Sequence, residues 1–203
     1  GCKWADLQTK AICGDGVSLG RRFDLAAGLV EITYDTGAKV LLQGPVKYAV
    51  ESRNGGFVAA GRLTGKVESQ AAKGFTVRTP TAVVTDIGTE FGIDVNQDGN
   101  TVSHVFRGVV EVRKVGETNR CVRLGENESI QITQQRNIRT SDVRRSETDS
   151  TTFVRVGQIA AVSSTQQALN TRPRRLIWPI LHKTLVAWVS LDNLSQRGVG
   201  ILT

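Results

Sequence analysis

The sequence predicts an all-β fold. Short, mostly antiparallel strands are expected in a two-layer sandwich or roll, or in a solenoid-like arrangement, followed by an irregular C-terminal tail. Three observations predict it. Strand-sized stretches of period-two alternation recur roughly every eight to twelve residues between Gly28 and Ile132. Turn-forming residues separate them. The 21 glycines are spread along the chain, against only 4 prolines, which favours many tight turns over long helices.

The elements follow in order. LVEITYD sets Val30, Ile32 and Tyr34 on one side and Glu31, Thr33 and Asp35 on the other, the pattern of a half-buried strand. DTGAK turns the chain at Gly37, and VLLQGP completes a hairpin that ends at Gly44-Pro45. VKYAVES alternates again, with Val46, Tyr48 and Val50 on one face. RNGG (53–56) is a strong turn signal, because Asn and Gly accept positive φ at low cost. GRLTGKVES, GFTVRTP, AVVTDIG, EFGIDV, TVSHVF, GVVEVRKV and ESIQIT continue the series. No strict internal repeat is visible, so a regular solenoid is not the default. The expected core is Val30, Ile32, Tyr34, Val77, Phe91, Ile93, Val110 and Val112.

Past Thr133 the character changes. Residues 133–175 are polar and Arg-rich and read as a basic linker, with a short helix near STQQAL and RPRR (172–175) closing it. Then LIWPILHKTLVAWVSLDNL turns apolar. Leu185, Ala187, Val189 and Leu191 alternate with Val186, Trp188, Ser190 and Asp192, as in the first core strand of another β domain, of which residues 176–203 would be the incomplete start. The expected organisation is therefore a β domain over 1–132, a linker over 133–175 and a second β domain beginning at 176. With no methionine and Gly1-Cys2 in front, the sequence reads as a fragment or a processed chain.

Bulk properties exclude several classes. No run of eighteen apolar residues spans a membrane. The net charge of +7 suggests nucleic acid until it is divided: residues 1–132 hold 16 of the 26 basic and 15 of the 19 acidic groups, so the excess belongs to the tail. No nucleic-acid partner is expected. Cys2, Cys13 and Cys121 are odd in number and lack CxxC spacing, which argues against a zinc site or disulfide framework. Cys2 and Cys13 either pair in an oxidising compartment or remain free thiols.

TDIGTEFGIDVNQDGNT (85–101) concentrates the candidate chemistry. DVNQDG opens like an EF-hand loop, with Asp94, Asn96, Asp98 and Gly99, but the twelfth position, where a bidentate Glu is needed, is Val105. A hairpin with a type I′ turn on QDGN is the better reading. Asp86 and Glu90 resemble an acid–base pair. On an extended strand they would lie about 13 Å apart, and Gly88 between them bends the chain. With two histidines in the chain, His104 and His182, no oriented nucleophile or metal shell assembles. The expectation is that Asp86 and Thr89 bond nearby amides and shape the turn. Gly61, Gly65 and Gly74 lack the GK[ST] ending of a phosphate loop. The Arg cluster at 172–175 reads as solvated linker. No catalytic residue, metal site or cofactor is assigned.

GFTVRTPTAVVTDIGTEFGIDV (74–95) and the VFRGVVEV that follows (105–112) are similar to the FecR protein family in their motif residues: Gly74, Phe75, Val77, Thr79, Pro80 and Ala82, then Gly88, Thr89, Phe91 and Ile93, then Val105, Gly108, Val110 and Val112. The resemblance covers about residues 14–132. KTLVAWVSLDNLSQRGVGILT (183–203) resembles the opening of a LamG or concanavalin A-like domain. The resemblance to FecR implies a non-enzymatic domain of the bacterial envelope, in the periplasm or at the cell surface. It implies signal transmission or sigma-factor regulation through contacts with protein partners, by strand addition at a sheet edge. Gly74, Phe75, Thr79, Pro80, Gly88, Thr89, Phe91 and Gly108 are then structural residues of the family motif. Membrane contact is expected only through segments absent here, and glycan binding only through the missing part of the second β domain. A second reading makes the FecR-like part a spacer in a cell-surface carbohydrate-binding or adhesion protein. A hydrolase built on Asp86 and Glu90 ranks last.

Overall fold

The computed structural model describes residues 2–12, 14–117, 119–135, 142–145 and 153–157, with Leu7 by its backbone only, and the backbone of 185–188 and 200–202. The strands are β1 (Lys3–Trp4), β2 (Arg22–Ala27), β3 (Leu29–Thr33), β4 (Lys39–Ser52), β5 (Gly55–Lys66), β6 (Thr76–Arg78), β7 (Ala82–Asp86), β8 (Glu90–Val95), β9 (Thr101–Arg107), β10 (Val110–Lys114), β11 (Val122–Leu124), β12 (Glu128–Ile132), β13 (Arg144–Arg145), β14 (Leu185–Trp188) and β15 (Gly200–Leu202). Among the described residues the helical pieces are two single 3₁₀ turns, Leu7–Thr9 and Gln70–Ala72. None is long and apolar enough to cross a membrane. The fold is all-β and mostly antiparallel, as the sequence predicts.

The spine is the long β4–β5 hairpin. Its Lys39–Gln43 and Arg62–Lys66 ends are flanked by β3 on one side and by β8, β9 and β12 on the other. Its Val46–Ala49 and Gly55–Phe57 ends are flanked by β2 and by β6, β7, β10 and β11. One continuous sheet thus has two branches, which curl around a common core. The β5–β6 pairing is parallel, as is the pairing of β14 with β3 (Leu185 with Val30, Val186 with Glu31), and β15 runs antiparallel to β14.

The curl happens at a corner. Gln43 pairs with Arg62 and Val46 with Gly61, so Gly44 and Pro45 bulge out of the ladder. Proline fits there because a bulge needs no N–H. Gly61 sits at φ +95°, and a Cβ on it would run into the Pro45 carbonyl and come within 2.6 Å of the Val46 Cα. Beside them, the Gly44 amide donates to Gly28 O at 3.0 Å, where the chain passes from β2 to β3. The sequence reading divides 39–52 into two strands at Gly44-Pro45. Hydrogen bonding resumes beyond the bulge and makes them one.

Inward residues line up across each branch. In the first, Val30, Leu42, Leu63, Ile93, Ser103 and Ile130 form one register row. In the second, Val50, Gly56, Val77, Val84, Val112 and Val122 form another. All eight expected core residues are at most 1% exposed. Each such side chain contributes roughly 1.5–3 kcal/mol relative to exposure. The Phe91 ring occupies the space a side chain at Gly65 would need. Tyr34 and Tyr48 bring their hydroxyls together at 2.5 Å inside the core, and Tyr34 meets Phe75 edge-on at 4.9 Å.

RNGG turns the chain between β4 and β5 as expected, but neither Arg53 nor Asn54 takes positive φ there. The β8–β9 connection is a five-residue loop over 96–100, with only Gly99 at positive φ, whereas a type I′ turn needs two such residues. The Asn96 side chain accepts the Asn100 amide at 2.9 Å and its carbonyl accepts the Gly99 amide at 3.0 Å, which stabilises the wider loop. The STQQAL helix, RPRR, Cys13 and the side chains of the expected second β domain lie outside the described residues.

Gly61→Ala should lower the unfolding free energy by about 2–4 kcal/mol, from left-handed strain and the collision with β4. Urea denaturation with an unchanged m-value would measure it; a loss below about 1 kcal/mol would mean the corner tolerates a side chain.

Candidate interaction site

Strand alternation that fills the core also places residues on the outside of the first branch. Glu31, Leu41, Thr64, Gly92, His104 and Ser129 form one outward register row across β3, β4, β5, β8, β9 and β12. Yet Leu41 is 0%, Thr64 1% and His104 3% exposed, so this outer face is covered. Residues 153–157 cover Leu41, Thr64 and Gly92, and the Phe106 ring lies beside His104.

The contacts are specific. Phe153 lies over Gly92, where a Cβ would approach its ring to 2.9 Å, and meets Phe106 edge-on at 5.6 Å. The Val154 amide donates to Gln43 Oε1 at 3.2 Å, and its carbonyl accepts the Thr64 hydroxyl at 2.9 Å. Arg155 donates twice to Glu90, Nε to Oε1 at 2.8 Å and Nη2 to Oε2 at 2.5 Å, with its guanidinium 4.9 Å from the centre of the Phe106 ring. Val156 packs on Leu41, with Leu29 and Val154 alongside. The fork-to-fork geometry is the strong form of a carboxylate–arginine pair. Sequence reasoning missed this segment and placed it in the linker. The only local signal is the alternation of FVRV inside a polar stretch, and nothing nearby marks Glu90 as its partner 65 residues away.

The two carboxylates suspected of acid–base work point apart. Glu90 faces outward to Arg155. Asp86 ends β7 facing the core, 0% exposed, and its Oδ2 accepts the Gly88 amide at 2.7 Å. Its Oδ1 and the Thr89 hydroxyl find no hydrogen-bond partner among the described residues. Thr89 therefore does not shape the turn through its hydroxyl. Asp94, first residue of the EF-hand-like run, faces Arg62 at 3.7 Å; burial raises its carboxyl and Arg62 opposes the shift. Among the described residues no three His, Cys, Asp or Glu side chains group as metal ligands.

The motif residues occupy joints. Gly74 and Phe75 lead into β6, with Phe75 buried. Thr79 accepts the Ala82 amide at 2.9 Å, and its hydroxyl and that of Thr81 each lie 2.7 Å from the Thr101 hydroxyl. Pro80 between them rests against Gly99 of the β8–β9 loop. This hydroxyl cluster ties the start of β7 to the start of β9. Gly88 and Thr89 abut Gly108, where an added Cβ would meet Gly88 O and Thr89 Cγ2 at 2.7 Å.

Comparison with known proteins bears on these joints. The model of the FecR protein family matches residues 27–111. The matched region runs from the end of β2 into β10 and contains Gln43, Thr64, Glu90, Gly92 and Phe106. Residues 153–157 lie beyond it. Two solved structures of candidate anti-sigma factors from Parabacteroides distasonis are also similar. One is 22% identical with a TM-score of 0.48, covering 70% of this chain and 62% of its own. The other is 21% identical with a TM-score of 0.48, covering 78% and 76%. The chain thus spans less than two thirds of the length of the first. No curated protein matches the sequence.

Burial pushes the Asp86 carboxyl up to about 6, while the Gly88 and Thr89 amides and Lys73 pull it down. An unfolded Asp titrates near ~3.9, so the folded chain holds this proton more tightly. The resulting stabilisation is fully present below about pH 4 and is lost as pH rises through about 6. Asp86→Asn removes this dependence. Its unfolding free energy relative to the parent should swing by about 2–3 kcal/mol in the variant's favour between about pH 4 and 7. Urea denaturation across that range measures it, and a constant difference would contradict proton binding at Asp86.

Proposed function

We propose that this chain is a non-enzymatic, FecR-like module of a bacterial cell envelope, placed in the periplasm or at the cell surface. It transmits a signal that regulates a sigma factor, and does so through protein–protein contacts. The match of the FecR family model to residues 27–111 carries this reading. Two observations support contact as its mode of action. The suspected catalytic carboxylates are engaged separately, Asp86 with a backbone amide and Glu90 with Arg155. The outer edge of β3 also accepts a strand in parallel pairing, at Val30 and Glu31, the kind of main-chain contact by which an extended partner segment adds to a sheet.

Deleting the codons for 27–111 in the native organism tests it. The transcripts of one sigma-dependent set of genes should shift together, and reintroducing the region should restore them. An unchanged transcript profile under conditions where the protein is expressed would overturn the reading.

A further inference from the structure

The outer face of the first branch has the parts of a peptide-recognition site. Gly92 leaves a notch for an aromatic ring, and Phe106 walls it. Glu90 offers a carboxylate to an arginine, in a geometry that a lysine cannot reproduce. Gln43 and Thr64 bond the amide and the carbonyl of one residue, Val154. Those two bonds read main chain, so the middle position is held mainly through its backbone while the flanking two are specified by their side chains. In an extended segment, residues two apart point the same way, which is how Phe153 and Arg155 reach the sheet together.

The socket and its occupant are separable. Gln43, Thr64, Glu90, Gly92 and Phe106 all stand on strands within 27–111, the stretch that matches the FecR family model. The occupant comes from 153–155, outside it. Residues 153–157 belong to no strand, so the β4–β5–β8–β9 ladders are complete without them. The arginine side chain remains 35% exposed, open to competition from solvent and salt.

We infer that this face is a recognition socket for an extended protein segment carrying an aromatic residue two positions before an arginine. The chain fills the socket with its own Phe153-Val154-Arg155, and a partner bearing the same pattern displaces that segment. The inference rests on the protein-contact reading above and specifies the partner's chemistry. The tethered segment acts as a local competitor, which sets a threshold the partner must exceed.

The test uses the full chain with Phe153→Ala and Arg155→Ala, which empties the socket, and a fluorescein-labelled peptide of sequence Thr-Phe-Val-Arg-Val-Gly followed by fluorescence anisotropy. The peptide should bind this variant saturably, and at least about ten-fold more weakly to the unaltered chain, whose own segment competes. A peptide with Glu in place of Arg should not bind. Adding Glu90→Arg should abolish binding of the original peptide and admit the Glu peptide. Arg155→Gln, which keeps Phe153, replaces the double variant if that fails to fold; it should bind more weakly than the emptied socket and more tightly than the unaltered chain. No saturable binding to a folded variant, or binding indifferent to Glu90, overturns the socket. Either result leaves the signalling reading to the transcript experiment, and a silent transcript profile with intact peptide binding removes that reading while the socket stands.

Discussion

A single hairpin serves both branches of this sheet, and everything else depends on how it bends. β4 and β5 are 14 and 12 residues long. Strands of that length in a flat sheet would leave one face of every strand in water. Gly61, at positive φ against the Pro45 carbonyl, lets the pair turn a corner so that both halves face one core. The bend alone would not suffice, because alternation must also survive it. On β4 the two bulged residues, Gly44 and Pro45, keep the inward set even-numbered: Val40, Leu42, Val46, Tyr48 and Val50. On β5 the inward set is Gly56 and Val58 before the corner and Leu63 and Gly65 after it. The register shift opposite Lys47 and Tyr48, which leaves Ala59 unpaired, makes that change. Without it, one half of β5 would turn its apolar side chains to solvent.

The same alternation explains why a covering segment is needed. A strand that sends alternate residues to the core sends the others out, and the alternation places Leu41 of β4, Gly92 of β8 and Phe106 of β9 outward. An uncovered apolar band across the middle of a sheet invites association. Residues 153–157 remove it from water. The energetics are modest. Burying most of Phe153 contributes about 2 kcal/mol, and a partly exposed ion pair adds about 1 kcal/mol or less. Together with the two bonds to the Val154 main chain and the packing of Val156 on Leu41, these contacts hold the cover without a ladder.

What was legible in the sequence follows from what is local. β3, β8 and β10 announce themselves through Val30-x-Ile32, Phe91-x-Ile93 and Val110-x-Val112, because burial of one face imposes period two on neighbouring residues. The inward position of Asp86 was also written there, since Ala82, Val84 and Asp86 alternate together, but a carboxylate is read as outward by habit. β2 was missed because only Phe23 and Leu25 mark it. The turn on QDGN was assigned by its dipeptide, whereas the Asn96 side chain bonding the Asn100 amide selects a longer loop, a choice made by partners four residues apart. The union of Glu90 with Arg155 is invisible to any local pattern. It is created by the corner that presents the outer face and by a segment arriving from beyond β12.

The separation of Asp86 from Glu90 has the same origin. β7 belongs to the second branch and β8 to the first, so residues 87–89 carry the chain across the fold. Gly108 and Val109 carry it back between β9 and β10, and the two crossings lie against each other: the Ile87 amide donates to Val109 O at 3.2 Å, and Gly108 leaves room for Gly88 and Thr89. Asp86 and Glu90 meet opposite faces on the two sides of this crossing. Asp86 arrives facing the core and turns its carboxylate onto the Gly88 amide of the crossing itself, while Glu90 departs facing outward. Two carboxylates four residues apart thus become a support for the joint and an anchor on the surface. Acid–base chemistry needs both on one substrate. Recognition needs only the outward one, held on a rigid strand beside an aromatic wall and a glycine notch, and that is the arrangement the crossing produces.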